Sequence, residues 1–216
     1  HAYSIIDDLN NFQLSTGFHV NSSHKFKFIS GYSSHLLDNN INKIYKYYNL
    51  NFRYKYDTRD IYLDPTKGVL MNLKFNNFIG ISDTKNIHQF EFNSTYFKSI
   101  NNNFLKPVLR YRSTIYLQTS NDNIPLFHKK YLGGHKLVKG YSKTPAENGK
   151  FSQYTEVDNF LFNSITLQGT IIPRQIFFSI LKTDVVIGSD FRFFIDHGIG
   201  SLQKQQFNLG NGIIGY

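Results

Sequence analysis

The chain has 216 residues, a formal net charge of +9, 17% aromatic residues, no Cys and no Trp. Without Cys, disulfides and thiolate metal sites are excluded. Lys and Arg stand singly among Asn, Tyr and Phe instead of running together, which points to a solvated or channel-lining face and away from nucleic acid as a partner.

No apolar run approaches the roughly 20 residues of a spanning helix, and His1 opens no signal-peptide pattern, so the start reads as a mature protein or an excerpt. From there the period is two almost everywhere. "FQLSTGFHV" sets Phe12, Leu14, Phe18 and Val20 on one side, and "KFKFISGY" does the same with Phe26, Phe28 and Tyr32. In "YNLNFRYKY" the row Tyr48, Leu50, Phe52, Tyr54, Tyr56 alternates with Asn49, Asn51, Arg53, Lys55. "VLMNLKFNNF" opposes Val69, Met71, Leu73 and Phe75 to Asn72, Lys74 and Asn76, and "HQFEFNSTYF" opposes Phe90, Phe92 and Tyr96 to Glu91 and Asn93. "PVLRYRSTIYLQT" opposes Leu109, Tyr111, Ile115 and Leu117 to Arg110, Arg112 and Gln118. After a region of roughly 40 residues come "FLFNSITLQGTI", "VVIGSDFRFFID" and "QQFNLGNGIIGY". The pattern predicts about nine strands with short turns, the Asn-rich "LDNNINK" and "SINNNF" among them.

Two all-β architectures hold such strands. A soluble sandwich uses strands near 5 or 6 residues, whereas a spanning barrel needs roughly 9 to 11 with an aromatic-rich outer face. Length and aromatic content favour the barrel, although charges along the polar face would suit a sandwich exterior as well.

The long interruption holds "HKKYLGGHKLVKGYS", His128 to Ser142. It lacks the G-x-x-x-x-G-K-[ST] order of a phosphate loop, since Lys139 precedes Gly140. The eight His residues are dispersed, without metal-ligand spacing, so no metal or cofactor is expected. Ser142 has no nucleophile elbow, so no catalytic residue is assigned. "YDTRDIYLDPTKG" taken alone reads as a charged hairpin in which Asp64 favours the turn, Pro65 fixes φ and Gly68 admits an unusual backbone angle.

Taken together, the two segments carry more. Asp57-x-Arg59-Asp60, then Pro65-x-x-Gly68, and about 65 residues later Leu132-Gly133-Gly134-x-x-x-Val138-Lys139-Gly140-Tyr141, with "DFRFFIDHGIG" from Asp190 to Gly200 following, resembles the BamA/TamA-type family of outer-membrane assembly and secretion barrels, whose barrel is the bacterial surface antigen domain. The resemblance implies an antiparallel transmembrane β-barrel of sixteen strands, about nine of them here, with residues 1–216 a single barrel domain incomplete at both ends. An open set of nine strands leaves two unpaired edges that a bilayer does not permit. It further implies that residues 120–160 form a long extracellular loop folded into the lumen. The loop tip carries Lys139 where the family has Arg, and its acidic partners fall at Asp196 and, in the second position, at Gln168. Gly133 and Gly134 would turn the loop inward, and Gly140 would supply an angle other residues resist. Lys is a point charge without the guanidinium fork, so a single Lys139–Asp196 ion pair is expected, contributing about 1 kcal/mol or less in a water-filled lumen.

The function implied is non-enzymatic: assistance with insertion or translocation of other proteins at the outer membrane, with outer-membrane lipids, unfolded β-barrel substrates and accessory assembly lipoproteins as partners. The competing readings are a membrane anchor for a fused patatin-like phospholipase and a two-partner secretion transporter. A bacterial outer membrane is favoured over an organellar one.

Overall fold

The computed structural model describes residues 4–38, 43–100, 105–120, 123–141, 156–180, 183–202 and 212–216. The strands are β1 (Ser4–His19), β2 (His24–Asp38), β3 (Lys43–Asp57), β4 (Gly68–Gly80), β5 (Ile87–Ser99), β6 (Val108–Ser120), β7 (Lys130–Tyr131), β8 (Glu156–Val157), β9 (Asn159–Ile180), β10 (Thr183–Ser201) and β11 (Ile213–Gly215). Nine of them form one sheet in the order β1-β2-β3-β4-β5-β6-β9-β10-β11, every neighbouring pair antiparallel, while β7 and β8 pair with each other. The expected all-β meander is therefore present. Of the expected ninth strand, "QQFNLGNGIIGY", the described residues hold β11 (Ile213–Gly215), and residues 203–211 lie outside the described residues.

Alternation divides the sheet into two unlike faces. Phe12, Leu14, Phe18, Tyr48, Leu50, Phe75, Tyr111, Leu117, Ile165 and Phe193 are exposed on one, with ring pairs such as Phe18–Phe26 at 5.1 Å and Phe26–Tyr54 at 4.9 Å tying strand to strand. Asn49, Gln89, Thr95, Thr114, Gln118, Ser164, Thr166 and Asp196 are buried on the other. This inside-out distribution suits a wall with lipid on its apolar face and a polar interior.

Buried polar groups need partners, and several find them across strands. Asn49 Nδ2 donates to Ser33 at 3.0 Å and Asn76 to Gln89 at 3.3 Å. Lys74 Nζ meets Glu91 at 3.0 Å, Asn93 donates to the same carboxylate at 2.6 Å, and Thr114 donates to Asn93 at 2.7 Å.

The connections sort to two ends. Among the described residues, 20–23, 58–67, 100 and 105–107 lie at one end, whereas 81–86, 123–141 and 156–158 lie at the other. Side chains of the described part of the connection between β6 and β9, residues 123–141 and 156–158, cover the polar face, which identifies that face as the interior.

Candidate functional site

The loop's first turn docks on rings. After Pro125 the chain makes a 3₁₀ turn over Leu126–His128, closed by His128 N donating to Pro125 O at 2.9 Å. Phe127 stacks on His35 at 4.6 Å, and His128 lies 4.5 Å from Phe78 and 5.6 Å from Tyr47, so the turn sits among aromatic side chains of β2, β3 and β4. Gln89 Nε2 lies 3.3 Å from His128 Nδ1. Burial, with His35 and Lys130 nearby, pushes His128 down to about 3, so the imidazole is neutral at physiological pH.

A neck follows. Lys130 pairs with Val157 and Tyr131 with Glu156 in the β7–β8 ladder. Lys129 Nζ lies 3.1 Å from Glu156 and 3.2 Å from Asp158, joining the two limbs of the loop. Burial works against the Lys129 charge, but the two carboxylates outweigh it and hold the ammonium above its usual range.

The tip is a tight knot of backbone hydrogen bonds. Val138 N donates to Leu132 O at 2.9 Å, Gly134 N to Tyr141 O at 2.8 Å, and Leu137 N to Gly134 O at 3.1 Å. Gly134 at φ 98° and Gly140 at φ 89° occupy left-handed backbone that side chains resist. Gly133 bridges Val138 instead of turning the chain.

The knot presents Leu132 and Val138 to the wall, where they bury with Tyr116, Val157, Phe160 and Phe162. Room for them comes from missing side chains. A Cβ on Gly198 would meet Val138 Cγ2 at 2.7 Å, one on Gly200 would strike Val157, and one on Gly215 would strike the Lys139 carbonyl. Glycines on β10 and β11 thus form a shallow seat for the loop.

Beside this seat, Lys139 reaches the wall. Its Nζ lies 2.8 Å from Asp196 Oδ2, its backbone N donates to the same oxygen at 3.2 Å, and the ammonium sits 3.9 Å from the Phe194 ring centroid. Asp196 is fully buried, with 0% of its side chain exposed. Its Oδ1 has no hydrogen-bond partner, as follows when a point charge stands where a fork could engage both oxygens. Arg112 holds the tip from the other side: Nη2 donates to the Lys136 carbonyl, and the guanidinium lies over Phe162 at 4.6 Å. Removing the lysine would strand a buried charge, a loss of about 3 kcal/mol.

Gln168 is not brought to this contact. It stands opposite Arg192 on β10 and Val108 on β6, whereas Ser164 is the residue opposite Asp196. Four residues of strand separate them, about 13 Å. Gln168 lines a cavity of about 390 Å³ with Asp64, Pro65, Lys106 and Arg192 at the turn end of the sheet.

That cavity adjoins the strand-turn motif, whose residues serve one another. Arg59 Nε and Nη2 each donate to Asp57 at 2.8 Å, a two-pronged pair, and Nη1 donates to Tyr62 O at 3.1 Å. Asp60 accepts from Ile61 N, Thr66 N, Thr66 Oγ1 and Lys67 N at 2.5–3.1 Å. The Thr66 hydroxyl, helped by the amides, holds Asp60 well below the usual carboxylate range. Pro65 is buried. Gly68 has φ 106°, and a Cβ there would strike the Thr58 carbonyl.

Sequence reasoning missed the aromatic seat of His128 and the apolar patch beneath the tip. Glycines at alternate inner positions of β10, Gly198 and Gly200, were the available signal for the second. Ser142 and residues 143–155 of the expected loop lie outside the described residues. Among the described residues no cluster of His, Asp and Glu could hold a metal.

The fold and loop define a class: an antiparallel transmembrane β-barrel wall that carries a long connection folded onto its interior. The chain matches the model of the Omp85 superfamily domain over residues 5–189, and it belongs to that family. It is similar in fold to the crystal structure of BamA from Haemophilus ducreyi lacking POTRA domains 1–3, with a TM-score of 0.64 and 17% sequence identity over 87% of this chain and 41% of that one. The chain thus spans less than half the length of that structure. No curated protein sequence matches it. Membership places the chain at an outer membrane.

Proposed function

We propose that this chain forms the wall and lumen loop of an outer-membrane barrel, bacterial rather than organellar, that assists insertion or translocation of other proteins. In the whole protein the sheet is part of a sixteen-stranded barrel, the loop enters from the extracellular side, and outer-membrane lipids cover the apolar face. Unfolded β-barrel proteins are its substrates, and accessory lipoproteins its assembly partners. The observation that carries the reading is the loop seated on the polar face, with Lys139 Nζ 2.8 Å from the buried Asp196.

The seat performs no bond chemistry. Leu132 and Val138 exclude water from the wall, Lys139 neutralises Asp196, and Arg112 holds the Lys136 carbonyl. The loop thereby becomes a fixed part of the interior, bracing β9, β10 and β11 against β6. Braced walls let other strands of the barrel open without collapse of the fold.

The test is reconstitution of the full-length protein in liposomes with an unfolded outer-membrane barrel as substrate. Faster substrate folding, read by protease protection and reduced when Asp196→Ala undocks the loop, is expected. Folding at the rate of empty liposomes would contradict the proposal.

A further inference from the structure

The interior wall carries a second feature, at the turn end and away from the loop. Lys27 on β2 stands directly opposite Arg53 on β3, which stands opposite Lys74 on β4. One step along, Lys25 stands opposite Lys55. All five share the inner parity of Asn49 and Asn76. Like charges directly across an antiparallel pair destabilise a sheet, and this sheet answers the problem elsewhere, pairing Lys74 with Glu91 at 3.0 Å and Lys55 with Asp57 at 3.0 Å. Asp57 is already held by the Arg59 fork. Among the described residues Lys25, Lys27 and Arg53 have no ion pair. Folding gains nothing from that arrangement.

These cations line a cavity of about 460 Å³ floored by Gly17, where a Cβ would meet the Phe26 carbonyl at 2.9 Å. The described residues of the loop dock elsewhere, the first turn at His35, Tyr47 and Phe78 and the tip at Asp196, both toward the other end.

We propose that this cationic ladder is a binding site for an extended acidic segment of a polypeptide passing the interior. The spacing selects the ligand. A compact anion such as phosphate needs donors converging on one point, whereas these side chains are spread along a row. Lys25 and Lys27 are two residues apart, about 6.6 Å along the strand, which equals the repeat of alternate side chains on an extended peptide. Acidic residues at every second position would therefore meet successive rungs. Lipid headgroups are disfavoured because the ladder lies on the polar face and not on the face that carries Phe12, Leu14 and Phe18.

The inference deepens the proposed function, on which it rests for the passage of polypeptides, and it is testable apart from it. The full-length protein in detergent micelles is titrated with a fluorescein-labelled decapeptide of alternating Glu and Ser, a Lys-Ser peptide of the same length, and inorganic phosphate. The acidic peptide is expected to bind, more weakly as salt rises, and the double variant Lys27→Gln/Arg53→Gln to lose roughly tenfold or more in affinity. The same variant should melt higher than the parent, since repulsion across β2–β3 is relieved, and this also shows that it folds. Equal binding of the Lys-Ser peptide, unchanged affinity in the double variant, or equal competition by phosphate at matched charge would overturn the inference. Folding of a barrel substrate without acidic runs serves as the control: it should proceed in the double variant, and its failure in the parent protein would refute the proposed function and leave the binding result standing.

Discussion

The strand-turn motif and the loop tip each place a cation on an aspartate, and they do it differently. At the turn Arg59 grips Asp57 two residues away with both prongs at 2.8 Å, and the rest of the motif closes on itself through Asp60, Thr66 and Lys67. At the tip Lys139 reaches Asp196, 57 residues along the chain, and satisfies one carboxylate oxygen. The first contact is short-range and cheap in loop entropy. The second holds only because the apolar patch of Leu132 and Val138 over Gly198 and Gly200 brings the partners together. A local contact fixes a turn, and a long-range one couples a loop to a wall.

Breaking the long-range contact should have the largest effect. Lys139→Ala leaves the buried Asp196 without its direct ion pair and should cost about 3 kcal/mol of loop docking. Trypsin cleavage at Lys129, Lys130 and Lys136 in intact membranes should rise sharply, and unchanged cleavage would contradict the coupling. Gly68→Ala, which imposes a Cβ at φ 106°, should cost about 2 kcal/mol and lower the melting temperature without altering cleavage of the loop. Altered cleavage would show that the turn is not self-contained.

Lys139→Arg sharpens the comparison by moving the fork of the turn into the tip. A second prong reaching Asp196 Oδ1 should add about 1 kcal/mol and slow tryptic cleavage at Lys136, and faster cleavage would mean that the seat has no room for a guanidinium. The smallest effect concerns pH. His128 is held near 3 when docked, below its ordinary value of about 6.5. The undocked ring takes a proton more readily, so docking of the first turn is at full strength above pH 6.5 and weakens as pH falls from there toward 3. Amide exchange around residues 125–130 should be faster at pH 5 than at pH 7.5 after correction for intrinsic rates, and His128→Phe should abolish the difference. A difference that persists in His128→Phe would assign it elsewhere.

The wall was legible because period-two alternation is a local property: Tyr48, Leu50 and Phe52 against Asn49 and Asn51 declare their faces without knowledge of neighbours. The pairing of Lys139 with Asp196 was legible only through the order of motifs, and its burial was not, since nothing in "VKGY" says what covers it. Gln168 was misassigned to the tip because a motif position carries no register, and register sets it opposite Arg192. The seat of His128 was hidden for a related reason. His35, Tyr47 and Phe78 come from three strands, and an isolated His in a loop gives no sign of the rings it will meet.

The central claim, that the loop lies folded on the interior wall, is tested most directly by covalent capture. The chain has no Cys, and a Cβ on Gly198 would sit 2.7 Å from Val138 Cγ2, within reach of disulfide geometry. In the full-length double variant Val138→Cys/Gly198→Cys, spontaneous formation of an internal disulfide in the membrane, with neither single variant cross-linking, is the predicted result. Two free thiols that remain reduced under oxidising conditions in a folded barrel would contradict it.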